Sequence, residues 1–363
     1  MIRPLHLLAD ISGHGYGHLA QTAPVLNALR LRLPAVQFSI RSSLPHALLQ
    51  QHIVGDFTHI PLASDFGLSM TSAMDVDVPG SIQRYRDFHA HWETQVADYA
   101  QQLRQIQPTV VLSNISYLAL AAAHTAQIPA LAMSSLNWLD VFFAYVGNAP
   151  GLATIRGQMC AAYNNANVFL RLAPGIPMPQ IQRLIDIAPV ARHCTANPTR
   201  LRALLNLDAT PRLILIAMGG ILMPLPTSWP IIPGVYWIAP RASALARADM
   251  CILEQIEMSF GEVLASCDAV ITKSTYGTFV EATLCATPVL YVARPDWPEQ
   301  PGLATWISEH NRAHAIRRAQ YDQGQFATAL EALLKQSPKP PLEITGMQAA
   351  AGLIADCLTQ PVG

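Results

Sequence analysis

The run Gly13-His14-Gly15-Tyr16-Gly17-His18 sets two histidines among three alternating glycines. An apolar stretch, Leu5 to Ala9, precedes it and an apolar-periodic one, Leu19 to Leu33, follows, so it reads as a strand-to-helix turn. Glycines there allow a tight turn and close approach of a ligand to the backbone. The N-terminus of the following helix offers unpaired N–H groups and partial positive charge to an anion. The run is not the dinucleotide fingerprint GxGxxG, because His18 holds the last glycine position, and this disfavours a nicotinamide enzyme. Zinc is also disfavoured: Gly15 and Gly17 oppose helix between the two histidines, and no HExxH glutamate is present. General-base chemistry suits His18 better. An imidazole held at such a turn can take a proton from an acceptor hydroxyl, and the helix N-terminus would favour its neutral form. A plainer alternative is that His18 only hydrogen-bonds the backbone and shapes the turn.

A second constellation runs from Cys267 to Ala282. The apolar strand Ala269 to Thr272 ends in a Ser/Thr/Gly turn, and a helix is expected from about Thr278. The hydroxyls of Ser274 and Thr275, with free N–H groups at the helix start, would receive the diphosphate of a nucleotide. Glu281 falls one turn into the helix, where its carboxylate can accept from two ribose hydroxyls. Lys273-Ser274 has a superficial likeness to a P-loop, but no glycine precedes Lys273, so a Walker-type ATPase fits poorly. Thr278 and Glu281 could instead form a capping box. After the strand Val289 to Val292, the proline-stiffened loop Arg294 to Gln300 lies at the carboxyl edge of a sheet, where open α/β folds bind ligands. Asp296, Glu299 and Gln300 are candidates for hydrogen bonds to sugar hydroxyls, or simply solvated loop residues. Asp140, after Asn137-Trp138, is a second candidate for a base or an acceptor-binding group.

The elements that must position these groups alternate as β and α. In the first half, strands at Leu5 to Ala9, Val36 to Ile40, Phe57 to Ile60, Thr109 to Leu112 and Ala130 to Ala132 are interleaved with helical stretches. The helical stretches include a short one from Pro45 to Gln51, a long one from Ser81 to Ile106 and another from Tyr117 to Ala126. Strands that read as continuous apolar runs belong to a parallel sheet covered on both faces. Residues 64–80 form an irregular loop long enough to suggest function. Prolines at 174, 177, 179, 189 and 198 mark an interdomain connection. The alternation then restarts at the strand Arg212 to Ala217, which ends in Met218-Gly219-Gly220, and continues to Ala313 to Ile316. The expected division is residues 1–185, residues 186–343, and a terminal helix within 344–363.

With 363 residues, 51% hydrophobic and 13% charged, the chain can bury two cores and is not generally disordered. A net charge of −1, from 23 basic and 24 acidic residues, gives no basic excess for nucleic acid. Mean hydropathy is +0.25, yet the longest low-charge stretch, Val110 to Leu139, is interrupted by Asn114, His124, Pro129 and Asn137. It reads as strand, helix and strand, not as a membrane span. The N-terminus runs straight into the glycine turn with no signal-peptide cleavage site. A cytoplasmic protein is expected, with peripheral membrane contact left open. The six cysteines are scattered without a CxxC pair and read as reduced, mostly buried residues.

Three segments in order resemble GT-B glycosyltransferases. GHGYGHLAQTAPVLNAL is similar to their N-terminal turn and helix, especially in the sugar-transferase-like domain fused to plant arabinose kinases. NISYLALAAAHTAQIPALAMSSLNWLDVF resembles a segment of the same group, and ITKSTYGTFVEATLCATPVLYVARPDWPEQPGL resembles its donor site. The resemblance implies two Rossmann-like domains facing each other across a cleft, and an inverting transferase that needs no metal or other cofactor. It implies that Gly277, Thr278 and Glu281 bind the nucleotide of a UDP, GDP or dTDP sugar, that Gly219 and Gly220 line the phosphates, and that Gln300 reads the sugar. His18, Gly15 and Gly17 would face the donor. The chain departs from the plant small-molecule glucosyltransferases in lacking an HCGWNS-like motif, and it carries Cys285-Ala286 where many relatives have a glycine. A nucleotide-sugar epimerase and a non-catalytic nucleotide-sugar-binding domain are the alternatives that this fold also allows.

Overall fold

Short aliphatic runs form two sheets, each wholly parallel, in a computed structural model that describes residues 4–220, 223–340 and 342–360. Two compact units result. One holds the chain up to Thr71, Val76–Val190 and the chain from Ile344 onward; the other holds Ser72–Asp75 and Ala191–Glu343.

In the first unit the strands are β1 (His6–Ile11), β2 (Gln37–Arg41), β3 (Thr58–Ile60), β4 (Val110–Asn114), β5 (Ala130–Ser134), β6 (Val168–Leu172) and β7 (Leu184–Ile187). Their order is β3-β2-β1-β4-β5-β6-β7, so the winding reverses between β1 and β4. β4 and β5 are buried at every residue, as an aliphatic strand covered on both faces must be. The helices are α1 (Gly17–Arg32), α2 (His46–His52), α3 (Val78–Ala90), α4 (Trp92–Ile106), α5 (Tyr117–Ala126), α6 (Trp138–Val146) and α7 (Ala153–Asn164).

The second unit repeats the plan. Its helices are α8 (Pro198–Leu204), α9 (Phe260–Ser266), α10 (Tyr276–Leu284), α11 (Gln300–His310), α12 (Arg318–Asp322) and α13 (Ala327–Leu334). The strands β8 (Arg212–Ala217), β9 (Val235–Ala239), β10 (Met250–Ile252), β11 (Ala269–Lys273), β12 (Val289–Val292) and β13 (Ala313–Ile316) lie in the order β10-β9-β8-β11-β12-β13. Here the reversal falls between β8 and β11. The last helix, α14 (Gly346–Thr359), belongs to the first unit, where Gly346 leaves no room for a Cβ against the carbonyls of Ala188 and Pro189.

Three local expectations differ from what forms. The single helix Ser81 to Ile106 is two helices broken at His91, whose φ of −115° and ψ of 23° leave the helical region. The break brings His89 and Trp92, stacked at 5.1 Å, into one aromatic cluster with Tyr117. The proline-rich stretch is more than a connection, because it contains the edge strand β7. That strand is half exposed, and its aliphatic residues Leu184, Ile185 and Ile187 are interrupted by Asp186, which pairs with Arg171. Finally, α10 begins at Tyr276 and not near Thr278: the chain bends at Ser274 after β11, and Thr275, extended at φ −157° and ψ 142°, directly precedes the helix.

Candidate active site

In open parallel sheets, ligands bind at the carboxyl ends of strands where the winding order reverses. Both glycine turns fall at such points, one in each unit.

In the first unit, β1 delivers the turn and β4 ends in Asn114. Each glycine of the turn has its own reason. Gly13 has no room for a Cβ, which would meet Ser43 Oγ at 2.1 Å; Gly15 has φ +78°; Gly17 faces open space. Gly17 opens α1 after Tyr16, which supplies no side-chain cap, so the first N–H groups of a 16-residue helix are not satisfied by a capping side chain.

His18 sits in the first turn of α1 and is 6% exposed. Its Nδ1 lies 2.9 Å from Asn114 Oδ1. The Asn114 amide nitrogen donates to Thr22 Oγ1 at 3.0 Å and Gln21 Oε1 at 3.2 Å, which fixes its oxygen as the acceptor facing the imidazole. His18 therefore carries its proton on Nδ1 and a lone pair on Nε2. Burial pushes its pKa down to about 4, only partly offset by the Asn114 bond. Burial rather than the helix end is thus the main cause of its neutrality, and its hydrogen-bond partner is a side chain on another strand.

Trp138, at the start of α6, packs edge-on against His14 at 5.1 Å and His18 at 5.7 Å. Its Nε1 donates to Asp65 Oδ2 at 2.9 Å, and Ser12 Oγ donates to Asp65 Oδ1 at 2.7 Å. Burial raises Asp65 to about 6, against the pull of those two bonds and of Arg84. Asn114, Trp138 and Asp65 are the residues that sequence reading passed over. Asparagine and tryptophan carry no catalytic spacing, and Asp65 joins the cluster only through the folded loop. Asp140, in the same turn of α6 as Trp138, shares none of these bonds: burial raises its pKa, its partner is Asn137, whose amide donates at 2.7 Å, and the charge of Arg156 acts on it.

In the second unit, β8 leads through Met218 to Gly219, exposed and at φ +87°, followed by exposed Gly220. Beside it, β11 leads through Ser274 and Thr275 into α10. Thr275 is the N-cap residue but makes no side-chain capping bond, in contrast to α9, where Ser259 and Glu262 close a full capping box. Ser274 is 1% exposed and its hydroxyl has no hydrogen-bond partner among the described residues. A buried orphan hydroxyl costs free energy unless something satisfies it. Gly277 and Thr278 lie in the first turn, partly exposed. Thr278 is inside the helix, so it and Glu281 form no capping box.

Glu281 is partly buried, and its carboxylate makes no hydrogen bond among the described residues. Burial raises its pKa to about 7, moderated by Arg192. The loop after β12 is tied internally. Trp297 Nε1 donates to Glu299 Oε2 at 2.9 Å, and the Arg294 backbone N–H donates to Gln300 Oε1 at 3.0 Å. One oxygen of Glu299 and the oxygen of Gln300 are thereby committed to loop closure, which leaves the Gln300 amide nitrogen as the group able to donate outward. All six cysteines are free, and no helix among the described residues is long and apolar enough to cross a membrane.

No protein-family model matches the chain. The L-arabinokinase of Arabidopsis thaliana is 22% identical over 365 residues, covering 95% of this chain but 34% of that protein. The chain therefore spans about a third of the length of the curated relative it matches. Among solved structures, the calicheamicin glycosyltransferase CalG4 superposes with a TM-score of 0.64 at 12% identity, covering 100% of both chains. A transferase from Siraitia grosvenorii in complex with UDP gives 0.56 at 10% identity, covering 98% of this chain and 100% of that one. Two parallel sheets wound in the same sense, and full-length matches of this kind, give the chain the GT-B fold of the glycosyltransferases.

Proposed function

We propose that the chain is an inverting, metal-independent glycosyltransferase that moves a sugar from a nucleotide-sugar donor to an acceptor hydroxyl. The observation that carries this is the Glu281 carboxylate, partly buried and unbonded, one turn inside a helix whose start is uncapped. A nucleoside diphosphate satisfies the whole arrangement. Its ribose hydroxyls donate to Glu281, and its phosphates accept from Ser274, Thr275 and the N–H groups at Gly277 and Thr278. Gly219 and Gly220 let the phosphates approach the end of β8, and the Gln300 amide supplies a donor for the sugar. Bound UDP in the Siraitia grosvenorii structure is consistent with this class of ligand.

In the reaction, the acceptor oxygen bonds to the anomeric carbon from the face opposite the diphosphate. The bond between that carbon and the phosphate oxygen breaks, its electron pair leaves on the diphosphate, and the acceptor proton passes to His18 Nε2. With a pKa of about 4, His18 is a weak base, so it can take the proton only as the leaving group departs. Charge stabilisation at the start of α10 is then the larger contribution. Asp140 is the second candidate for holding the acceptor.

The direct test follows nucleoside diphosphate release from UDP, GDP and dTDP sugars, with water as the slow acceptor, by proton NMR in the presence of EDTA. The reading requires free sugar released first as the anomer opposite to the donor. Release with retained configuration, or a donor epimerised at another carbon, would overturn it.

A further inference from the structure

The last residue of β11, Lys273, is a cation that the donor reading leaves without a role. Lys273 Nζ donates to the Ala73 carbonyl at 2.7 Å, and no carboxylate pairs with it among the described residues. The side chain runs beside Gly219: a Cβ on that glycine would stand 3.5 Å from Lys273 Cε and 3.6 Å from Nζ. The ammonium thus lies beside the tip of β8, where the sheet reverses its winding. Burial, and then the positive charge of Arg294 in the loop after β12, lower the lysine pKa to about 7. Asp75, on the same segment as Ala73, is engaged by Ser72 and Arg318.

The Ala73 carbonyl is firmly placed. Ala73 is fully buried and Met74 is 4% exposed, both packed into the core of the second unit with Ile216, Met218 and Ile271. A single carbonyl does not compensate a desolvated ammonium next to an arginine. It does fix where that ammonium points.

We propose that Lys273 is a donor-binding residue whose ammonium, held beside Gly219 by the Ala73 carbonyl, pairs with the diphosphate of the nucleotide sugar. Residues 72–75 are then a positioning element anchored by Met74. This rests on the donor reading of α10, and it gives the irregular loop after β3 a task in that site.

Calorimetric titration of wild type, Lys273→Arg and Lys273→Met with UDP, GDP, dTDP and their parent nucleosides tests it. For the nucleotide that binds wild type, Lys273→Met should weaken the diphosphate by about 10- to 100-fold, the loss expected for a charge-assisted bond. The parent nucleoside should bind as before. Lys273→Arg should hold the diphosphate within about threefold and abolish the weakening that wild type shows above about pH 7. Met74→Ala should weaken the diphosphate and spare the nucleoside. If Lys273→Met binds the diphosphate like wild type, or loses diphosphate and nucleoside equally, the assignment of Lys273 falls. A loss confined to Glu281→Gln would then leave the donor reading standing. Failure of all the nucleotides to bind folded wild type would remove both.

Discussion

The affinity for a nucleotide sugar should peak near neutral pH, with each limb belonging to one named residue. Glu281 must be ionised to accept from two ribose hydroxyls, and Lys273 must be protonated to meet the diphosphate. Burial sets both pKa values at about 7 in the free protein. The binding-competent fraction is the product of the two, about a quarter at pH 7 and about 3% at pH 5.5 or 8.5. Affinity should therefore fall about eightfold on either side, and the diester diphosphate of a nucleotide sugar adds no titration of its own over that range. The signs are opposite because the ligand favours the charged form of both groups: binding expels a proton from Glu281 and draws one onto Lys273. Calorimetry from about pH 5.5 to 8.5 reads both limbs. In Lys273→Arg the alkaline limb should vanish, leaving a rise of about 30-fold with pH; in Glu281→Gln the acid limb should vanish. An acid limb that survives in Glu281→Gln would refute the placement of the ribose.

Other consequences follow from the first unit. Replacing His18 by Gln should cut turnover by about 10²- to 10⁴-fold with the donor Kd unchanged, measured by steady-state release of nucleoside diphosphate. Asn114→Asp places a carboxylate on His18 Nδ1, so the acid limb of turnover should move to higher pH; an unmoved limb would mean that His18 is not the titrating base. The pKa of His18 is about 4 in the fold against an ordinary 6.5, so its contribution to stability is present above pH 6.5 and lost as pH falls towards 4. Equilibrium denaturation should show His18→Gln losing about 3 kcal/mol less than wild type across that interval. Gly15→Ala, forced to φ +78°, should cost about 1 kcal/mol, read as a lowered midpoint of denaturation.

Periodicity made the two αβ halves legible, because buried parallel strands such as Val289–Val292 are uninterrupted aliphatic runs. The edge strand β7 escaped notice because it is only four residues long and Asp186 interrupts its aliphatic run. Both glycine turns were visible as residue types at strand ends, and both fall where the winding reverses. Side-chain partnerships were not visible. His18 meets Asn114 across 96 residues of sequence, and Lys273 meets Ala73 across 200. No local spacing encodes such pairs. The start of α10 misled for a related reason: Thr278 and Glu281 have the spacing of a capping box, but β11 ends at Lys273 and the helix has already begun at Tyr276.

The central claim is that a nucleoside diphosphate occupies the start of α10 with its ribose on Glu281. A thermal-shift panel of UDP, GDP and dTDP with their sugars, on wild type and Glu281→Gln, tests it most directly, because a ligand of the folded state raises Tm by mass action. The account predicts a rise with one nucleotide class that is lost or much reduced in Glu281→Gln. A flat response to every nucleotide, or a rise of the same size in the variant, would contradict it.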